Sequence, residues 1–275
     1  MRTLLTTTLC LLALSLSAQS QRKLIKARDA VMKEGLALYR TEKAAWFGTD
    51  VFLAEFSDTD RIGGYVTYDS DAGPRCVFYD QAQPPVVLGT VRFSSDFDHD
   101  RTELDLSGRP LTEQELTLGQ MRRAASEALS GNPIVKTLKN TRFNLVPIIF
   151  DGQRKVYVLS GPAVTNMVVL GNDYLVLLDK KMRVEETKAL HANPLIFPYA
   201  GEDGKEIATT VHSHTETTGS YITPTDICTL LLYAPFTSWK QHTVISKQVV
   251  SIFDMEKSSL VFLKRSAYDK MFGGR

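Results

Sequence analysis

The spacing of apolar positions changes character along the chain. From Gln21, residues Leu24, Ile25, Ala27, Ala30, Val31, Leu36 and Leu38 recur at mixed three- and four-residue spacings on one broad face. This pattern predicts a helix that fades around Tyr39 to Glu42. Short runs follow, GGYVTYDSD, RCVFYD and VVLGTVRFSSD, rich in Val, Tyr and Phe and separated by Gly, Pro and Asp. They predict a small antiparallel sheet. FSSDFDHDRTELD reads as a polar loop, and its alternating Asp96, Asp98 and Asp100 lack the glycine and distal glutamate of a calcium loop. Thr112 and Glu115 then form a Thr-x-x-Glu capping box for a helix over Glu113 to Leu129, stopped by Gly131 and Pro133. That helix is a candidate hinge between an N-terminal α/β region (21–131) and a C-terminal domain (132–275).

The second half alternates more strictly. FNLVPIIFDGQRKVYVLSGP predicts two strands about an Asp-Gly turn. MVVLGNDYLVLLDKKMRVEE predicts two more about Gly-Asn and Lys-Lys turns, and IATTVHSH a strand with histidines at its end. TPTDICTLLLYAPF predicts a helix with Thr223 as N-cap and Pro224 in its first turn. HTVISKQVVSIFDM closes with two β-rich runs. The expectation is an α+β fold, a mixed β-sheet flanked by helices, preceded by a smaller α/β N-terminal region.

Composition adds a compartment and excludes some partners. Hydrophobic residues make up 43% and charged residues 23%, with a net charge of +1. A chain of this kind buries a core, and its dispersed Lys and Arg argue against nucleic acid as a partner. Residues 1–20, MRTLLTTTLCLLALSLSAQS, have a short basic start, an apolar stretch and small residues near Ala18 and Ser20. They read as a secretory signal, which implies a secreted or periplasmic protein without stable membrane insertion. Cleavage would leave Cys76 and Cys228, too few for a disulfide framework, with Cys228 reading as a buried thiol in a helical core.

The candidate chemistry lies in VHSHTETTGSYITPTD, Val211 to Asp226. His212 and His214 flank one residue, so a strand points both rings to one face. Asp226 falls in the first turn of the next helix. Two nitrogens and one oxygen with a fourth position left for water make a catalytic zinc set. The same aspartate also suits a capping box with Thr223, a complete structural reason for its presence. His191 reads as a loop histidine bonded to backbone, with a place at the edge of a cleft as the alternative, and His99 and His242 read as surface residues. Cupin and metallo-β-lactamase spacings do not fit this stretch.

The order strand, His-Ser-His, loop, Thr-x-x-Asp, helix resembles the JAMM (MPN/JAB) metalloproteases, whose signature is an upstream Glu, His-x-His, about seven residues and Ser-x-x-Asp. His212, Ser213 and His214 match the first part; Thr223 and Asp226 match the second, with Thr for Ser and a loop one residue longer. The resemblance covers about residues 140–255. It implies JAMM/MPN-like, cytidine-deaminase-like layering, and zinc held by His212, His214 and Asp226. It also implies Thr223 as oxyanion support and a peptide or protein as substrate or ligand. Asn144 stands where the family has its glutamate base, and an amide is no base. Loss of a general base typically costs about a hundred- to ten-thousandfold in rate. Glu216, two residues beyond His214, is a candidate substitute. Two functions stay open: a metal-dependent peptidase or isopeptidase with impaired catalysis, and an inactive JAMM-like binding module or structural envelope protein.

Overall fold

The structure, a computed structural model, describes residues 2–201 and 204–273; the side chains of residues 2–18, and with them most of the expected signal segment, lie outside the described residues. The described residues form a mixed α+β fold with four sheets and four α-helices. The first sheet holds β1 (Ile62–Tyr68), β2 (Arg75–Asp80), β3 (Val86–Arg92) and β4 (Glu103–Asp105) in that order, with β5 (Arg109–Pro110) also pairing β3. The second runs β10 (Val184–Ala189), β9 (Tyr174–Leu178), β7 (Gln153–Pro162), β6 (Thr141–Phe150). A third pairs β11 (Leu195–Pro198) with β8 (Met167–Leu170). The fourth runs β12 (Thr209–Ser213), β13 (Gln241–Ile245), β14 (Val249–Asp254), β15 (Ser259–Lys264), with β12 and β13 parallel.

Local signals account for several elements directly. The β6–β7 turn places Asp151 and Gly152 at φ 47° and 77°, the left-handed pair that an Asp-Gly hairpin requires. Helix α2 (Glu113–Leu129) starts on the reciprocal Thr112–Glu115 capping box. Helix α3 (Pro224–Tyr233) starts on Thr223, with Pro224 in its first turn. No helix among the described residues is long and apolar enough to cross a membrane.

Other elements depart from expectation. The first helix, α1 (Arg2–Glu55), does not fade near Glu42. Leu24 and Leu38 pack into the cluster around α3, whereas Ala44 and Phe52, further along, pack against β2 and β3. The apolar face therefore rotates along the helix, which breaks the stripe that periodicity detects. The 93–105 stretch, read as a loop, contains β4. Its aspartates are held by Arg101, which bonds Asp96 at 2.6 Å and Asp98 at 2.9 Å. Strands β11 and β15 and helix α4 (Arg265–Phe272) come in addition to the expected set.

The apolar clusters run across residue 131. Val66, Val77 and Val87 pack with Leu118 and Met121 of α2 and with Val156 and Val176 of β7 and β9. A larger cluster joins Leu38 of α1 to Ile227 and Leu230 of α3 and to Phe253 of β14. At the α1–α3 crossing stands Gly35, where a Cβ would lie 2.8 Å from the Cβ of Ile227. The absence of a side chain lets the two helices approach closely there, directly beside Asp226. Cys76 and Cys228 are buried free thiols in separate clusters, which agrees with the reading of Cys228.

Candidate metal centre

Strand β12 alternates cleanly: Thr210 and His212 are buried, Val211 and Ser213 exposed, and His214 continues the buried face one residue past the strand. The period of two that the sequence implied is therefore realised. The His214 amide donates to the Ile245 carbonyl at 2.9 Å, holding the segment against the end of β13. Across from it, the first turn of α3 presents Asp226. The Thr223 amide and hydroxyl each donate to Asp226 Oδ2 at 2.8 Å, and the Asp226 amide donates back to Thr223 Oγ1 at 3.0 Å. One carboxylate oxygen is thus fixed by the helix cap. The other, Oδ1, is left to face the histidines.

A fourth residue completes the group. His191 follows β10, and its Nε2 lies 3.1 Å from Asp226 Oδ1. Ligand atoms of His191, His212, His214 and Asp226 all lie within 4.8 Å of one another, and all four residues are buried. The reading of His191 as a loop histidine bonded to backbone is corrected here: neither ring nitrogen has a hydrogen-bond partner among the described residues. His212 Nε2, both ring nitrogens of His214 and Asp226 Oδ1 share that condition. A buried polar atom without a partner costs about 1–3 kcal/mol. Four such atoms, one from each residue, lie together here and need a common partner, which a metal ion would supply. Donors on one tetrahedral ion at about 2.0–2.1 Å stand about 3.3 Å apart, comparable to the observed 3.1 Å approach. The residues present fit a metal ion.

The backbone explains how His191 arrives. Strands β8 and β9 are not the hairpin that Gly-Asn suggested: β8 pairs with β11, and β9 with β7 and β10. The segment Gly171–Asp173 carries the chain from one sheet to the other. The Leu190 amide donates to the Asp173 carbonyl at 2.8 Å, prolonging the β9–β10 ladder toward the centre. Gly171 has φ +79°, and a Cβ there would meet the Asn193 carbonyl at 2.7 Å and His191 Cβ at 3.1 Å. Only glycine suits both the backbone angle and this closeness.

Two further residues back the group. Asp173 is buried, with Oδ2 3.7 Å from His191 Nδ1 and Oδ1 accepting from the Ser160 amide at 3.3 Å. His242, read as a surface residue, is fully buried, and this reading is also corrected. Its Nε2 lies 2.8 Å from His212 Nδ1, and its Nδ1 lies 2.7 Å from Thr210 Oγ1. If His212 offers its Nε2 lone pair, Nδ1 carries the proton and donates to His242 Nε2. His242 then carries its own proton on Nδ1 and donates to Thr210. This chain fixes one tautomer of each ring.

The electrostatics agree with a cation-binding role. Burial raises the Asp173 carboxyl to about 7, with Asp226 adding to the effect and His191 opposing it. Burial opposes a charge on His191, but Asp226 and then Asp173 outweigh it and bring the ring to about 9. A proton on His191 thus stands in for positive charge that two carboxylates demand. Burial pushes His214 down to about 4 and, with His212 beside it, His242 down to about 3. Both rings are therefore neutral and suited to act as ligand and support. Burial also opposes a charge on Asp226, yet His191 and then the other histidines hold it well below the ordinary carboxylate range.

The remaining candidates go elsewhere. Asn144 Nδ2 donates to both oxygens of Glu42 at 2.6 Å, and Tyr65 donates to Asn144 Oδ1 at 2.9 Å. Both polar ends of Asn144 are thus engaged away from the four residues. Glu216 is exposed and paired with Lys247, so it is not brought into the buried group. His99 is exposed, as read. Among the missed residues, His242 had a usable signal, since it shares the buried alternation of β13 with Val244. Asp173 had none, because a switch between sheets brings it to His191, which the sequence offered at a cleft edge but not in the ligand group.

No family profile, no curated protein and no solved structure matches this chain.

Proposed function

We propose that this protein is an extracytoplasmic, JAMM-like zinc protein whose centre is closed by four protein ligands, His191, His212, His214 and Asp226. In this role it is a metal-stapled binding module rather than a working peptidase. The observation that carries the reading is His191, which fills the position that a catalytic set would leave to water. Three imidazoles and one carboxylate are a borderline donor set suited to zinc. When bound, the metal supplies a cross-link among three separate segments: the loop after β10, the end of β12 and the start of α3. Asp226 and Asp173 balance a divalent charge, and Thr223, Asp173 and His242 hold the ligands in place. The signal-like residues 1–20 support the location.

A second reading, a metal-dependent hydrolase of amide bonds, is favoured by the position of Asp173, whose Oδ2 lies 3.7 Å from His191 Nδ1 beside the four residues. Asp173 is a buried carboxylate held at about 7, a value suited to accept and return a proton near neutral pH. In that case His191 would have to leave the metal, and Asp173 rather than Asn144 or Glu216 would hold the proton. Thr223 would then give up part of its bonding to Asp226 to support an oxyanion.

Metal analysis combined with a peptide-bond and isopeptide-bond hydrolysis assay separates the two. The closed-centre reading expects about one zinc per chain and no turnover by the unaltered protein. Zinc-dependent turnover that disappears in Asp173→Asn would reject the closed-centre reading and establish the second.

A further inference from the structure

None of the four candidate ligands lines a cleft of about 470 Å³ bounded by α1, β1, β6, β7 and α3. One face of α1 supplies Glu42, Trp46 and Asp50, and Tyr65, Asn144 and Tyr233 come from the other walls. The volume lies in the range of small-ligand sites, about 300–1,000 Å³.

At its inner end is an unusual group. Glu42 is 3% exposed, yet its carboxylate contacts only neutral donors among the described residues. Asn144 Nδ2 bonds both oxygens, and Trp46 Nε1 donates to Oε1 at 2.9 Å. Arg122, whose guanidinium stacks 4.2 Å from the centre of the Tyr65 ring, acts on Glu42 only through space. Burial raises the Glu42 pKa, while Asn144 and then Trp46 oppose the rise. The protein has thus placed an acceptor in a low-dielectric site, oriented it with two neutral donors, and left it without a contacting cation. A carboxylate has about four lone-pair sites, and these donors do not exhaust them.

The walls suit what is missing. Trp46 and Tyr233 stand edge to face with centroids 5.4 Å apart, and Tyr65 lies beside Asn144. Aromatic faces attract cations and accept an alkyl stem. Asp50 is exposed at the rim, and Arg142, also exposed, lines the same cleft. A ligand with its positive charge at one end only would meet Glu42 while leaving Arg142 a neutral or anionic outer end. We propose that this cleft binds the alkylammonium group of a lysine side chain presented by a peptide, with Glu42 receiving the charge and Trp46, Tyr65 and Tyr233 enclosing the stem. This inference is independent of whether the metal centre is structural or catalytic.

The test is titration of the full chain with Nα-acetyl-lysine amide and its norleucine counterpart, followed by NMR at the Trp46 indole N–H. Only the lysine compound is expected to give a saturable shift. Glu42→Gln keeps the shape and removes the charge, and weakens binding by at least about tenfold. Should Glu42→Gln lower the melting temperature, Asp50→Asn on the exposed rim supplies the second readout, with about two- to threefold weaker binding. Equal binding of the norleucine compound, no saturable shift at all, or binding unchanged in Asp50→Asn and in folded Glu42→Gln would each overturn the proposal.

Discussion

A histidine that gives one ring nitrogen to a metal must find a use for the other, and here the two best-placed histidines solve this differently. His212 Nδ1 stands within hydrogen-bond distance of His242 Nε2, and the far side of the His242 ring faces Thr210. His191 turns Nδ1 toward Asp173. Loss of such outer partners typically lowers metal affinity about 10–100-fold. His242→Phe keeps a ring of similar size in the core but removes the acceptor for His212. It is expected to weaken zinc binding within that range, as read by competition with a chromophoric chelator. An affinity equal to that of the unaltered protein would show that the His212–His242 contact does not orient the ligand.

Two helices carry the geometry at the next scale. Helix α3 brings Asp226 into place, and its close contact with α1 runs through Gly35. Gly35→Ala should gain about 1 kcal/mol of helix propensity. The new Cβ would meet Ile227 Cβ and Cγ2 at 2.8 and 2.9 Å, so a backbone-near atom must move. Overpacking of this kind costs about 1–3 kcal/mol. The net expectation is a lower melting temperature with weaker metal retention, since Ile227 adjoins Asp226. A stabilised variant would contradict it. Helix α2 offers a pH test. Burial would raise Glu115, but the Arg109 fork, the Thr112 amide and the Tyr68 hydroxyl together hold it below its ordinary value of 4.5. A carboxyl lowered on folding stabilises the protein above its unfolded pKa, and that contribution fades as the pH falls through the folded value. Glu115→Gln should therefore melt lower than the unaltered protein at neutral pH. The two melting curves should converge on acidification below pH 4.5. A constant gap across that range would show that the gap arises from packing rather than ionisation.

At the scale of the whole molecule, what the sequence made legible was local. The capping boxes at Thr112 and Thr223 and the Asp151-Gly152 turn depend on residues within a few positions, and each was readable. The same is true of the shared face of His212 and His214. What stayed hidden depends on chain crossings. Nothing near Gly171 announces that the chain leaves one sheet for another, so Asp173 gave no sign of backing the centre, and His191 read at most as the edge of a cleft rather than a partner of Asp226. Asn144 drew attention through an aligned pattern, but its partner, Glu42, comes from a helix whose second half was itself not foreseen, because its apolar face turns from α3 toward the first sheet. The closed character we propose for the centre rests on these long-range contacts.

X-ray absorption at the zinc edge on the purified, zinc-loaded chain tests whether four protein ligands close the centre. A closed centre requires about one zinc per chain with four nitrogen or oxygen donors at about 2.0–2.1 Å, three of them imidazoles. His191→Ala should lower the imidazole count from three to two. Failure to retain zinc, or a spectrum with two imidazoles in the unaltered protein and no change on His191→Ala, would contradict it.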